Sequence, residues 1–100
     1  METIGLERYR ALVREGALVV DVRATPLFDA APTAGAVNVP WAKIQEGEHD
    51  LPGDRPLVLL CEVGQLSRLA ALYLEADGLG PVYVLEGGLR ALEGKGHERA

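Results

Sequence analysis

The chain has 100 residues, 48% hydrophobic and 25% charged, with a formal net charge of −5. That length accommodates one domain and one core, residues 1–100, and leaves no room for a second. The acidic balance argues against nucleic acid, whose phosphates need clustered basic side chains, and no apolar stretch approaches the length that crosses a bilayer.

In chain order, the N-terminus METIGLERYR places Glu2 and Glu7 where a secretory signal would carry basic residues and then an apolar block. A cytoplasmic location is therefore expected; the chain is separately expected to be a monomer. Leu6, Tyr9, Leu12 and Val13 fall at helical spacing, and Gly16 is a natural stop. Leu18–Val22 is short, β-branched and apolar, a buried strand. Pro26 opens a short helix through Ala30. Gly35–Pro40, GAVNVP, reads as another short strand closed by proline, and residues 46–56 as a polar, turn-rich surface loop. Leu57–Leu60 is a strand, followed by a helix from about Ser67 to Ala76 that Asp77-Gly78 ends. Val82–Leu85 is a further strand, Gly87-Gly88 a tight turn, and Leu89–Glu93 a last short helix.

Strands apolar on both faces, alternating with helices, indicate a parallel sheet covered on both sides: a small three-layer α/β domain. Its chemistry is expected beyond the carboxyl ends of the strands. Few thermolabile residues, many alanines and short loops point to a thermophilic source, although a GC-rich genome gives a similar bias.

Cys61, the only cysteine, sits at one such strand end. A lone thiol forms no internal disulfide, consistent with a reducing compartment. With only His49 and His97 elsewhere, it builds no zinc site. Both histidines lie in polar surroundings and read as solvated surface residues. Gly64 permits the positive φ that a tight curl needs, and Ser67 is a candidate N-cap for the helix that follows. A curl of this kind turns backbone N–H groups inward, and the helix adds its unpaired donors and positive dipole end. The result is an anion nest that favours a thiolate, or equally a persulfide, without metal or organic cofactor. Taken alone, the loop leaves two readings open, a nucleophile and an inert core cysteine.

Asp21-Val22-Arg23, Phe28, Gly35–Pro40, Cys61-Glu62-Val63-Gly64 and Leu85-Glu86-Gly87-Gly88, in this order and spacing, resemble the single-domain rhodaneses from about Ile4 to Lys95. The resemblance implies a parallel five-stranded sheet with helices on both faces, including a short strand near Ile4. It also implies covalent sulfur transfer in two half-reactions. Cys61 would take a sulfane sulfur from a donor such as thiosulfate and pass it to cyanide or another thiophilic acceptor. The amides of Glu62, Val63, Gly64, Gln65, Leu66 and Ser67 would surround the outer sulfur. The partners implied are a small sulfur donor and acceptor, or a protein persulfide.

Many rhodaneses carry Cys-x-x-Gly-x-Arg, whereas this chain has CEVGQL, with Leu66 at the arginine position and Glu62 beside the sulfur. A carboxylate there repels dianionic thiosulfate, so weak thiosulfate turnover is expected, and a neutral or protein-bound persulfide fits the loop better. A phosphatase of the Cys-x5-Arg type would need its arginine at Ser67; Arg68 is one residue late, about 100° around the helix. Asp21 and Arg23 are candidates for supporting the loop or binding substrate, and equally for a structural ion pair. Trp41 is a candidate for the pocket mouth or the core. Arg90 and Lys95 are candidates for drawing anions to the rim or for an ordinary exposed face. The competing functional class is a non-catalytic rhodanese-like binding module that keeps Cys61 as packing.

Overall fold

The computed structural model describes residues 1–94. Its elements run β1 (Glu2–Ile4), α1 (Leu6–Arg14), β2 (Leu18–Asp21), α2 (Thr25–Ala30), β3 (Ala36–Asn38), α3 (Trp41–Glu46), β4 (Leu57–Leu60), α4 (Gln65–Ala76), β5 (Val82–Leu85) and α5 (Gly88–Leu92). The five strands form one sheet in the order β1-β5-β4-β2-β3, and every neighbouring pair is parallel. The central strand β4 is buried at all four positions, because helices cover both of its faces.

Alternation along the strands divides the core into two clusters. On one face, Val20, Val22, Leu57, Leu59, Val82 and Val84 pack with Ile44 of α3 and Ala70, Ala71 and Leu74 of α4. On the other, Ile4, Val19, Val58, Leu60 and Leu85 pack with Tyr9 and Leu12 of α1 and Leu89 of α5. The three-layer α/β arrangement expected from the alternating elements is the one observed.

The differences from expectation are local. β3 lies at a sheet edge, so Val37 is exposed rather than buried. Val13 of α1 is also exposed; the face that meets the sheet is carried by Tyr9 and Leu12. Of the six residues of α3, five precede the predicted surface loop in a stretch with no sequence signal, Glu46 is taken from that loop, and Ile44 is the only one of the six that is buried. α4 begins at Gln65, not near Ser67.

Candidate active site

Three strands end in parallel where the chemistry was expected, and β4 delivers Cys61 there. The chain leaves β4, curls through Glu62 and Val63, and enters α4 through Gly64 at φ +101°. An L side chain rarely adopts that conformation, so glycine is required at this turn. The curl brings two backbone N–H groups onto one sulfur: Gly64 donates to Cys61 Sγ at 3.0 Å and Ser67 donates at 3.4 Å.

Relative to Gly64 as N-cap, Ser67 occupies the third helical position. An N-cap side chain ordinarily accepts the hydrogen bond from that N–H. Here the sulfur of a residue three positions before the cap accepts it. The capping role assigned to Ser67 in the sequence is thus taken by Cys61, since the N-cap residue Gly64 has no side chain to offer. The Ser67 hydroxyl is fully buried and has no hydrogen-bond partner among the described residues.

The carbonyls of the same loop point the other way. Cys61 O accepts from Leu89 N at 2.9 Å, and Glu62 O accepts from Arg90 N at 3.3 Å. Both donors lie in the first turn of α5, where helical N–H groups lack partners of their own. The carbonyls are therefore drawn away from the sulfur while amides converge on it, which suits the site to a negatively charged sulfur. The approach is close enough that a Cβ at Gly88 would lie 2.3 Å from Cys61 O. Gly87-Gly88 does serve a tight turn beneath the loop, and Gly88 is the member that the packing constrains.

Arg23 lines one end of the pocket over the sulfur, and Asp21 lies buried behind it. The Asp21 carboxylate is fully buried. It accepts from Arg23 N, Nε and Nη2 at 2.9–3.2 Å and from Thr33 Oγ1 at 3.1 Å. Arg23 Nη2 also donates to Ala31 O at 2.8 Å, and its guanidinium lies 6.0 Å from the centre of the Phe28 ring. The hydrogen bond with Asp21 pushes the guanidinium pKa above its ordinary value; burial opposes this, and the charges of Asp21, Glu62 and Glu93 reinforce it.

Sequence reasoning missed Asn38 in this network. Its Nδ2 donates to Asp21 O at 3.0 Å and Arg23 O at 2.9 Å, while Oδ1 accepts from Thr25 Oγ1 at 2.8 Å. It thereby ties the end of β3 to the β2–α2 connection. The available signal was a single polar side chain inside the apolar run GAVNVP.

The pocket over the sulfur has a volume of about 380 Å³ and is lined by Arg23, Leu27, Cys61, Glu62, Val63 and Leu66, among others. Cys61 itself is only 2% exposed, so the thiol lies at its floor. Glu62, Val63, Gln65 and Leu66 are exposed around it, and Gly64 and Ser67 are buried beneath. Leu27 of α2 was not singled out in the sequence, yet it forms the opposite wall at 60% exposure.

Other candidates lie elsewhere. Trp41 packs against the core and edge-on to Tyr73 at 5.0 Å; it lines a separate hollow with Leu66, not the Cys61 pocket. Arg90 lines a hollow of about 560 Å³ with Glu86 and Leu6 that adjoins the loop at Val63. This hollow is larger than the Cys61 pocket but contains neither the thiol nor its donors. Arg68 is exposed. His49 corrects the solvated reading: its side chain is 8% exposed, and Nδ1 accepts from Leu51 N at 3.2 Å. The loop folds back because Leu51 packs on the core. Lys95 and His97 lie outside the described residues. No described helix is long and apolar enough to cross a membrane.

A family model for the rhodanese-like domain matches residues 6–95. The chain is 37% identical over 82 residues to a protein named thiosulfate sulfurtransferase GlpE from Pseudomonas fluorescens (strain SBW25), covering 82% of this chain and 75% of that one. It is 32% identical over 95 residues to the protein YqhL from Bacillus subtilis (strain 168), covering 95% and 75%. A rhodanese homolog from the extreme thermophile Thermus thermophilus superposes with a TM-score of 0.76 at 54% identity, over 91% of this chain and all of that one. The human single-domain sulfurtransferase TSTD1 shares the fold, with a TM-score of 0.83 at 21% identity over 95% and 97%. With the parallel five-stranded sheet and a cysteine loop between β4 and α4, these matches establish that the chain belongs to the rhodanese-like domain family.

Proposed function

We propose that the protein is a sulfurtransferase that carries sulfane sulfur as a persulfide on Cys61. The observation that carries this reading is the convergence of the Gly64 and Ser67 amides on Sγ at the floor of a pocket. In the first half-reaction the Cys61 thiolate attacks the outer sulfur of thiosulfate or a persulfide donor. A new S–S bond forms, and the donor's S–S bond breaks with its electron pair leaving on sulfite or the donor thiolate. In the second, an acceptor such as cyanide takes the outer sulfur as thiocyanate, and the electron pair of the broken bond returns to Sγ. The loop amides hold negative charge on the persulfide throughout, as a preorganised set of donors does for a developing anion. The name of the GlpE relative supports this activity. Thiosulfate turnover is slow in this reading, because the Glu62 carboxylate lines the pocket and Leu66 stands where many rhodaneses carry arginine.

The near-complete burial of Cys61 favours a second reading, a non-catalytic module in which the thiol packs and caps α4. Intact mass separates the two. After treatment with thiosulfate, and separately with an organic persulfide, the protein is expected to gain one sulfur atom that cyanide removes and that Cys61→Ser lacks. No gain from either donor, with protein folded and thiol reduced, would leave the module.

A further inference from the structure

Two features of the Cys61 pocket are not explained by transfer of sulfur from a small inorganic dianion. The first is its walls. Leu27 is 60%, Val63 46% and Leu66 42% exposed. They come from separate segments, α2 on one side and the loop with the first turn of α4 on the other. All three nevertheless face the same 380 Å³ volume as the thiol. Three large apolar side chains around one buried nucleophile present surface that an apolar ligand group would remove from water.

The second feature is charge. Thiosulfate presents a sulfonate end that needs cationic or polar partners beyond the two amides, which are directed at Sγ. The cation lining this pocket is Arg23, and its Nε and Nη2 are bound to the Asp21 carboxylate and Ala31 O. The ion pair is neutral as a unit, and the remaining charged group at the wall is Glu62. The field of the site therefore disfavours a dianion, whereas the walls favour an apolar substituent. The volume lies in the range of small-organic-ligand sites, apolar surfaces with a few placed polar groups.

We propose that the pocket selects sulfur donors that carry an apolar organic group on the leaving side and bear at most one negative charge, with Leu27 and Leu66 as the specificity-determining residues. The inference rests on the sulfur-transfer reading above and names its substrate class. With an arenethiosulfonate as probe, the Cys61 thiolate attacks the terminal sulfur and the S–S bond breaks. The electron pair leaves on the arenesulfinate, and the persulfide remains on Sγ. The ring lies between Leu27 and Leu66 while the Gly64 and Ser67 amides stay directed at Sγ.

The test is the rate of sulfur loading onto Cys61 from benzenethiosulfonate and from thiosulfate, followed by intact mass, each divided by the donor's rate with a free small-molecule thiol. That division removes intrinsic reactivity. The expected result is a normalised preference for benzenethiosulfonate of at least about tenfold, the discrimination that one or two buried methylenes supply. Leu27→Ala and Leu66→Ala each reduce the preference several-fold, and Leu66→Arg reverses it by raising the thiosulfate rate. Both side chains are exposed, so these variants fold, and circular dichroism verifies it. Equal normalised rates, or a preference that none of the three variants moves, overturns the inference and leaves the apolar rim to another occupant such as a protein surface. Loading by neither donor instead overturns the sulfur-transfer reading itself.

Discussion

A side chain at Gly88 would meet the carbonyl oxygens of Cys61 at 2.3 Å and Glu62 at 3.0 Å, and Gly88 also sits at φ +56°. Gly88→Ala combines a backbone conformation that costs on the order of 1–3 kcal/mol with a clash that pushes the loop off α5. Gly35 provides the control, since it has φ +78° and nothing within 4 Å of an added methyl group. Urea unfolding of both alanine variants, with sulfur loading measured at low denaturant, is expected to show the conformational penalty in both. Only Gly88→Ala should also lose sulfur loading. Equal loading by the two variants would mean that the α5 contacts do not hold the loop in its working shape. Gln65 and Leu66, by contrast, are exposed and line the pocket rather than the contact with α5.

At the level of elements, the connection from β2 through α2 to β3 has few apolar contacts, for α2 buries no side chain. Its position depends instead on the polar network of Asp21, Arg23, Thr33 and Asn38. Asn38→Ala removes two donors to backbone carbonyls, and Arg23 O loses the partner that Asn38 supplies. The expected cost is about 1–3 kcal/mol. Asn38→Asp is expected to cost more, because a carboxylate would then face those carbonyls. Chemical denaturation of the pair reads both values, and a neutral Asn38→Asp would show that the network does not place α2. These elements also show what the sequence could reveal. β2, β4 and β5 were legible as apolar runs because helices bury both of their faces. β1 was legible only through family resemblance, since Ile4 is its one buried residue. α3 escaped because six residues with a single buried side chain give no periodicity. The site was legible as a cysteine between strand and helix. Its capping was not, because local preference names Ser67 while the tertiary curl supplies a sulfur. Leu27 as a pocket wall depends on how α2 lies against the loop, which no local pattern encodes.

Across the whole molecule, the two core clusters fix how the helical layers sit, and Tyr9 is the phenol buried within the α1-side cluster. Burial pushes its pKa above the ordinary 10.0, with Arg10 opposing. A phenol whose pKa is raised on folding stabilises the fold fully below the unfolded value, and that contribution is lost as pH rises through the folded one. Stability is therefore expected to fall above about pH 10, and less steeply in Tyr9→Phe than in the parent. Urea midpoints between about pH 8 and 11 measure the difference, and identical slopes would contradict the burial effect. The arrangement of the cysteine loop has a wider consequence. Its shape is written in main-chain groups: amides turned onto a sulfur, carbonyls turned onto α5, and glycines at positions 64 and 88, where the backbone takes a positive φ. Its side chains at positions 62, 63, 65 and 66 are free of that task and line the pocket instead. Reactivity and taste for substrate are thus encoded in different parts of one short segment, so a lineage can exchange the second wholesale while inheriting the first.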